Sequence, residues 1–291
     1  MKKKILSLVV IFYKPEPCHI NNVISLSEHY DIVVVDNTPE PERYDFNDKV
    51  TLLTLNDNVG IAKALNLGIE EVKHRGYQYC LLLDQDSVPS NELIQSLLNF
   101  YHDHPCDDIA VVAPCYHDKA MGANAPFIKQ HRFKKERIEA TGSKPIDASF
   151  VISSASLINL SCYDDIGPMN EELFIDHVDI EWGFRANSLN YRVVGLPWLK
   201  MEHEIGGEPV IFFGKKFVNH SAIRHYYYLR NVFMLLRLKH IPTYYKLVEV
   251  FKLIPRLVIY STVTNNRLDH FKHMVKGIYH GMIGRFGKLD G

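Results

Sequence analysis

The sequence predicts an α/β fold: a doubly wound, mostly parallel sheet followed by a C-terminal helical extension. Three observations carry that prediction. Apolar runs of strand length alternate with segments of helical spacing across the first two thirds of the 291-residue chain, the order that builds parallel sheets. The runs are continuously apolar, as in strands covered on both faces. Polar residues stand at the ends of three of them, where open α/β sheets hold ligands.

The elements follow in order. Residues 5–12 (ILSLVVIF) form the first strand. The charged and then apolar start, MKKKILSLVVIFY, has the profile of a signal peptide, but it lacks a small-residue cleavage site and runs into Lys14-Pro15. Residues 18–30 read as helix, 31–36 (DIVVVD) as a second buried strand and 50–55 as a third. Residues 61–75 carry helical spacing through Ile61, Ala64, Leu65, Leu67, Ile69 and Val72. A fourth strand over 79–83, a helix over 91–102 and a fifth strand over 109–113 complete the alternation. Residues 117–144 are polar and basic and predict a long, mobile surface loop. The β-branched, serine-rich stretch 148–160 returns to the sheet, 181–189 is helical and 192–196 is a strand. From Ser221 the pattern is helical and aromatic, with Pro242 and Pro255 expected as breakers. The predicted domains are a catalytic body over 1–210 and a basic, aromatic helical region over 211–291.

Composition bounds the function. A hydrophobic fraction of 46% and a charged fraction of 23% are those of a soluble globular chain, and no run of 18 apolar residues predicts a membrane span. The net charge of −1 hides an asymmetry: residues 215–291 hold 14 Lys and Arg against 3 Asp and Glu, leaving the body acidic. Such a tail faces something anionic. Nucleic acid is excluded as the partner because the charge comes with no matching motif; an anionic membrane surface is expected instead. Five cysteines without a CxxC pair argue against a disulfide framework and for a cytoplasmic setting.

The chemistry-bearing residues gather at strand ends. CLLLDQDSVPS (80–90) ends an apolar run in Asp84 and Asp86. A buried strand has no use for carboxylates there unless a cation, water or donor meets them, and a divalent ion needs such oxygen ligands. DQDSV also fits the pattern of aspartate-nucleophile phosphatases, but that pattern follows the first strand of its domain, and here three strands precede it. Asp36 is either a turn carboxylate or an acceptor for a base N–H or a ribose hydroxyl. In NDNVGIAKALNLGI (56–69), Asn58 and Gly60 precede a helix with Asn66 on its second turn; this is an ordinary cap or a phosphate-binding helix start. FIDHVDIEWGFRA (174–186) crowds Asp176, Asp179 and Glu181 beside aromatic residues. Carboxylates there complement a helix dipole or, raised by crowding, serve as a base. His203, between two glutamates after a strand, is a structural histidine or a third metal ligand. Tyr226, Tyr227 and Tyr228 beside Arg230 can cap the body or reach a diphosphate.

The ordered motifs VVIFY, VVVDN, NVGIAKALNLG, LLLDQDS, FIDHVDIEWGFRA and MEHEIG together resemble those of the GT-A glycosyltransferases of family 2, over roughly residues 5–206. Within that family the chain looks most like bacterial L-rhamnosyltransferases, with galactofuranosyltransferases as cousins, and RHYYYLRN (224–231) is also similar to the rhamnosyl group. The resemblance implies a GT-A nucleotide-diphospho-sugar transferase sheet and an inverting hexosyltransferase. L-Rhamnose would pass from dTDP-L-rhamnose to a glycan or lipid-linked glycan of a surface polysaccharide such as O-antigen or capsule, at the inner face of the bacterial membrane.

On the residues, the resemblance implies that Asp36 with Asn37, Tyr13 and the Asn58–Gly60 turn line the nucleotide pocket, with Asn66, Gln85 and Arg230 as further donor contacts. Asp84 and Asp86 match the family's DxD, which grips the donor diphosphate through Mg2+ or Mn2+, and His203 stands where cousins place a metal-binding histidine. Asp179 matches the catalytic base. The residue before it is usually acidic but is Val178 here, so Asp176 is expected to stand in for it. The alternatives are another sugar of the same family, a catalytically silent carbohydrate- or nucleotide-binding module, and a sugar-1-phosphate nucleotidyltransferase. The last lacks its glycine- and arginine-rich loop after Ile11.

Overall fold

The computed structural model describes residues 4–118, 122–203, 207–212 and 214–289, and the side chains of 118, 203, 207–209, 215 and 216 lie outside the description. The chain runs β1 (Lys4–Phe12), α1 (Pro17–Ser27), β2 (Ile32–Asp36), β3 (Val50–Thr54), α2 (Ile61–His74), β4 (Tyr77–Asp84), α3 (Asn91–Asp103) and β5 (Ile109–Asp118). It continues through β6 (Ala123–Asn124), β7 (Phe127–Gln130), β8 (Lys135–Ile138), β9 (Ile146–Ala148), β10 (Ser156–Asn159) and α4 (Leu160–Ile166). A 3-10 turn (Glu171–Leu173) then leads to α5 (Val178–Ser188), β11 (Arg192–His203), β12 (Gly207–Phe212), β13 (Lys215–Asn219), α6 (Ala222–Arg237), α7 (Thr243–Val263) and α8 (Arg267–Ile283).

The main sheet has the order β3-β2-β1-β4-β10-β5-β11-β9, with β6 added to β5. β1 is parallel to β2 and β4, β2 to β3, and β5 to β11, whereas β10 is antiparallel to both β4 and β5. The carboxyl ends of β1, β2, β3, β4, β5 and β11 therefore share one edge. Alternate strand residues feed two cores, as the period of two requires. Val9, Ile11, Val33 and Val35 pack with Leu65 and Ile69 of α2. Leu8, Val10, Phe12 and Val34 pack on the other face with Ile94 and Leu97 of α3. Each such buried aliphatic contributes about 1.5–3 kcal/mol, which is why the runs must be apolar throughout.

Two expectations are corrected. The stretch 117–144 is not a structureless loop: β5 extends to Asp118, and β7 and β8 form a hairpin whose Phe127 is buried in the core. Strands of four residues leave too few apolar positions to show a period. Pro255 does not break a helix but lies inside α7. A proline forfeits one N–H bond and crowds the carbonyl four residues back; here that carbonyl belongs to Phe251, which is exposed on a face where water can satisfy it. Among the described residues, no helix is long and apolar enough to cross a membrane.

Candidate active site

The shared strand edge builds a pinned floor. β4 ends at Asp84, and the Ser87 N–H closes the following turn on the Asp84 carbonyl at 3.0 Å. Ser154, just before β10, holds that turn: its hydroxyl accepts from the Asp84 N–H at 3.2 Å and lies 2.6 Å from the Ser87 hydroxyl. Asp84 is half-buried and Asp86 exposed. The Tyr13 N–H donates to Gln85 Oε1 at 2.9 Å, tying the end of β1 to the same turn.

Asp36 and Asn37 order the neighbouring floor. Asp36 is fully buried and accepts from the Thr38 N–H at 3.0 Å and the Tyr44 hydroxyl at 2.7 Å. Tyr44 covers the carboxylate, so a nucleotide reaches Asp36 only by displacing that phenol. Asn37 accepts from the Val59 N–H at 2.7 Å and donates to Asn58 Oδ1 at 3.1 Å, and Asn58 accepts from the Gly60 N–H.

The segment after the 3-10 turn is strained. Phe174, Asp176 and His177 all have φ between 63° and 65°, three non-glycine left-handed residues within four positions, each costing about 1–3 kcal/mol. At Phe174 the chain makes a γ-turn, with the Ile175 N–H on the Leu173 carbonyl at 2.8 Å. This turn aims the Phe174 carbonyl at the start of α2, where it accepts from the Ile61 N–H at 2.7 Å. Gly60 (φ 86°) makes the approach possible, because a Cβ there would stand 2.6 Å from the Phe174 ring. The start of α2 is thus capped by main chain rather than held open for a phosphate.

α6 clamps this segment from behind. Asn231 Nδ2 donates to the carbonyls of Leu173, Ile175 and Asp176 at 2.8–3.0 Å. Arg230 donates to the carbonyls of Glu172 and Leu173, both at 2.9 Å, and to Gly287.

Asp179 sits at the second position of α5 and accepts from the Ile180 N–H at 2.8 Å. Burial pushes its carboxyl up to about 6, against the lowering influence of the Ile180 N–H and His177. It borders a cavity of about 20 Å³ with Leu82, Ser153, Ser156 and Trp182, room for about one water. Buried Tyr116 on β5 joins the two carboxylate groups: its phenol is pushed well up by burial and then by the charges of both Asp84 and Asp179. Tyr116 is thus near both the end of β4 and the start of α5, and Leu82 of β4 and Asp179 border the same cavity.

Other residues singled out in the sequence lie elsewhere or are occupied. Glu181 is buried, pairs with Arg185 at 2.8 Å and has His240 Nε2 at 2.7 Å, so it positions α5. Asp176 is ion-paired with Arg224 at 3.0 Å and is not a free stand-in for an acid beside the base. Asn66 donates to the Met169 carbonyl at 3.0 Å and accepts from the Tyr163 hydroxyl at 2.8 Å, fixing the chain that leads to the 3-10 turn. Arg230 is fully buried, and Tyr226, Tyr227 and Tyr228 bond to His280, the Leu289 N–H and Glu249, so all four are already engaged within the protein. The His203 backbone ends β11 opposite Asp118 on the cleft edge; its side chain lies outside the described residues.

Among the described residues no three His, Cys, Asp or Glu side chains converge as a metal site. Asp84 and Asp86 fit a hard divalent cation that takes two carboxylates from protein and its remaining oxygens from substrate phosphate and water. Sequence reasoning missed Tyr116, Arg224 and Asn231. The last two stand in the quoted RHYYYLRN stretch, where Arg230 drew the attention.

Comparison with known proteins bears on the family and the fold. The family model described as glycosyl transferase family 2 matches residues 7–167. The chain is 33% identical over 288 residues to dTDP-rhamnosyl transferase RfbF of Shigella flexneri, covering 96% of each. Among solved structures, GalNAc-T7 with UDP, GalNAc and Mn2+ superposes with a TM-score of 0.58 at 13% identity, over 97% of this chain and 56% of that one. TarS residues 1–349 of S. aureus superposes at 0.53 with 15% identity, over 95% and 80%. These two share the GT-A-like fold of a mixed, mostly parallel sheet. The chain belongs to glycosyl transferase family 2 and is a glycosyltransferase, rhamnosyltransferase-like by homology.

Proposed function

We propose that the protein transfers L-rhamnose from dTDP-L-rhamnose, with inversion, to a lipid-linked glycan of a surface polysaccharide. The observation that carries this reading is the near full-length identity to a dTDP-rhamnosyl transferase. Asp84 and Asp86 would hold Mg2+ or Mn2+, which neutralises charge on the departing diphosphate. Asp179 takes the proton of the acceptor hydroxyl as that oxygen attacks the anomeric carbon. The bond from that carbon to the phosphate oxygen breaks, and its electron pair leaves with dTDP. One displacement inverts the anomeric centre, through an oxocarbenium-like state. The raised Asp179 suits this work, since a base is most effective with its pKa near the working pH. Asp36, Asn37, Tyr13, Gln85 and the Asn58–Gly60 turn form the nucleotide side. The His203 imidazole is a further candidate ligand.

The body over 1–210 carries the transfer, and 211–291 meets the membrane. α7 exposes Leu247, Phe251, Ile254 and Val258, and α8 exposes Leu268, Phe271, Val275 and Tyr279. Both stripes have helical spacing and lie among lysines and arginines, the pattern of helices that rest on anionic lipid. Flotation with phosphatidylglycerol vesicles at low salt is expected to carry the protein upward; protein left at the bottom of the gradient removes the membrane assignment.

A donor panel tests the main reading. With Mn2+ present, dTDP-L-rhamnose should raise the melting temperature and be hydrolysed slowly, ahead of UDP-galactofuranose, UDP-glucose and UDP-N-acetylglucosamine. A larger shift and faster turnover with UDP-galactofuranose would transfer the assignment to that sugar. Binding without turnover of any donor, with acceptor present, would leave a silent binding module.

A further inference from the structure

Beyond α8 the chain turns back onto the body. The left-handed Gly284 (φ 77°) ends the helix, a stop that glycine makes cheap. Residues 286–289 are then fixed at successive points. The Phe286 ring lies under the Arg230 and Arg237 guanidinium groups, at 5.8 and 5.3 Å. The Gly287 N–H donates to the Glu172 carbonyl at 2.8 Å, and the Gly287 carbonyl accepts from Arg230. The Leu289 N–H donates to the Tyr227 hydroxyl at 2.9 Å, and its side chain packs with Phe174, Tyr226 and Tyr227. Between these anchors, the Lys288 ammonium pairs with Asp57 at 2.5 Å, across 231 positions.

Two routes lead from this segment to the turn before α2. The first is a run of hydrogen bonds. Asp57 Oδ1, which holds Lys288, also accepts from the Asn58 N–H at 2.8 Å. Asn58 Oδ1 accepts from the Gly60 N–H and from Asn37 Nδ2, both at 3.1 Å, and Asn37 Oδ1 accepts from the Val59 N–H at 2.7 Å. Lys288 is thereby joined without a break to Asn37, just past the end of β2. The second route is packing. Phe174, which Leu289 covers, carries the carbonyl that caps Ile61, and its ring is the one that only a glycine at position 60 admits.

We infer that residues 287–289 are a strap that holds the 57–60 turn in place for the donor, with Lys288 and Leu289 as positioning residues. This rests on the assignment above of Asn37 and the Asn58–Gly60 turn to the nucleotide side. A turn ordered before the donor arrives spares donor binding the cost of ordering it. The Lys288–Asp57 pair is about half exposed and weak alone; the main-chain bonds and Leu289 carry most of the hold. The Asn231 bonds that brace the approach to Asp179 involve no residue of the strap. The strap therefore acts on donor affinity and leaves the transfer step itself alone.

Truncation after Phe286 tests the strap, with Lys288→Gln as the milder variant. Donor affinity is read by calorimetric titration with Mn2+ and dTDP-L-rhamnose, or UDP-galactofuranose should the donor panel select it. The truncated protein is expected to bind the donor about 10- to 100-fold more weakly, to show a donor KM raised in step and to keep kcat within about two-fold. Amide hydrogen exchange at Val59 and Gly60 should quicken as the turn loosens. Lys288→Gln should weaken the donor by about two- to five-fold, the worth of a half-exposed pair, and Lys288→Arg should restore it. Asp57→Asn combined with Lys288→Gln should lose no more than either change alone, since the two residues act through one contact. Unchanged donor affinity in the truncated protein overturns the strap. So does a kcat that falls as far as the affinity, which marks a general loosening of the fold. Should the truncated chain not fold, equal affinities in the wild type, Lys288→Gln and Lys288→Arg overturn it instead. Asn37→Ala separates the strap from the assignment beneath it. Donor affinity lost in Asn37→Ala but kept in the truncated protein sinks the strap alone. Donor affinity unchanged in Asn37→Ala removes the nucleotide-side assignment, and the strap with it.

Discussion

Asp84 and Asp86 carry the same carboxylate as Asp179, yet the protein houses them in opposite ways. The pair ends a parallel strand, half-buried and exposed in turn, on a turn pinned by Ser154 and Gln85. Such carboxylates are open to a cation and can rearrange around it. Asp179 follows three left-handed residues, is braced by α6, and is pushed up to about 6 by burial. A cation ligand must remain an anion, whereas a base must accept a proton and hold one position while it does. Environment, not residue type, would separate the two proposed duties.

The strongest way to break this contrast is to remove each charge and watch what is lost. Asp179→Asn should lower transfer by about 10²–10⁴-fold, the range for a positioned base, with donor affinity retained in a thermal shift. Substantial transfer by that variant would take the base role from Asp179. Chelation by EDTA, or Asp84→Asn, should lower transfer by roughly 100-fold or more and weaken donor binding as well. If donor affinity survives chelation unchanged, the two carboxylate groups do not divide the work as proposed.

How much of this was legible in the sequence follows the same divide. β1, β2 and β4 could be read because burial on both faces demands unbroken apolar runs, and Asp84 and Asp86 stood out as candidates because a polar pair follows one of those runs. Asp179 stood out as a candidate within a crowded acidic stretch. The support behind it was not. Asn231 reaches the Leu173 carbonyl across 58 positions, and Arg224 reaches Asp176 across 48; no local spacing announces such contacts. Arg230 was misread for the same reason, since a cation beside tyrosines looks the same in sequence whether it meets carbonyls or a diphosphate. Tyr116 lies beyond the fifth strand as read over 109–113, on a part of β5 that follows Pro114, and the β7–β8 hairpin was too short to show a period.

The bracing of Asp179 can be tested apart from its chemistry. Asn231→Ala removes three bonds to carbonyls of the strained segment. It should cost about 2 kcal/mol, since buried acceptors are left unpaired, and lower the melting temperature by roughly 4–8 °C. Activity at a temperature where the variant is still folded should fall as well, as the left-handed residues relax. A destabilised variant with wild-type turnover would show that α6 supports the fold without setting the base.

The smallest effect is the most discriminating. An acid whose folded value is about 6, against about 3.9 in an unfolded chain, is favoured by the fold in its protonated form. Its contribution is complete below about pH 4 and is lost as the pH rises through about 6. Above that, the native state carries the penalty of a buried charge. Asp179→Asn removes the charge and keeps the shape. It should therefore be more stable than the wild type at pH 7.5, by about 1 kcal/mol after discounting for the solvent contact Asp179 retains, and no more stable at pH 4. Denaturant unfolding at the two pH values measures this. An equal gain at both would trace the effect to packing rather than charge. The predicted pattern, a variant that gains stability only where it loses catalysis, is what a carboxylate kept strained for its reaction should show.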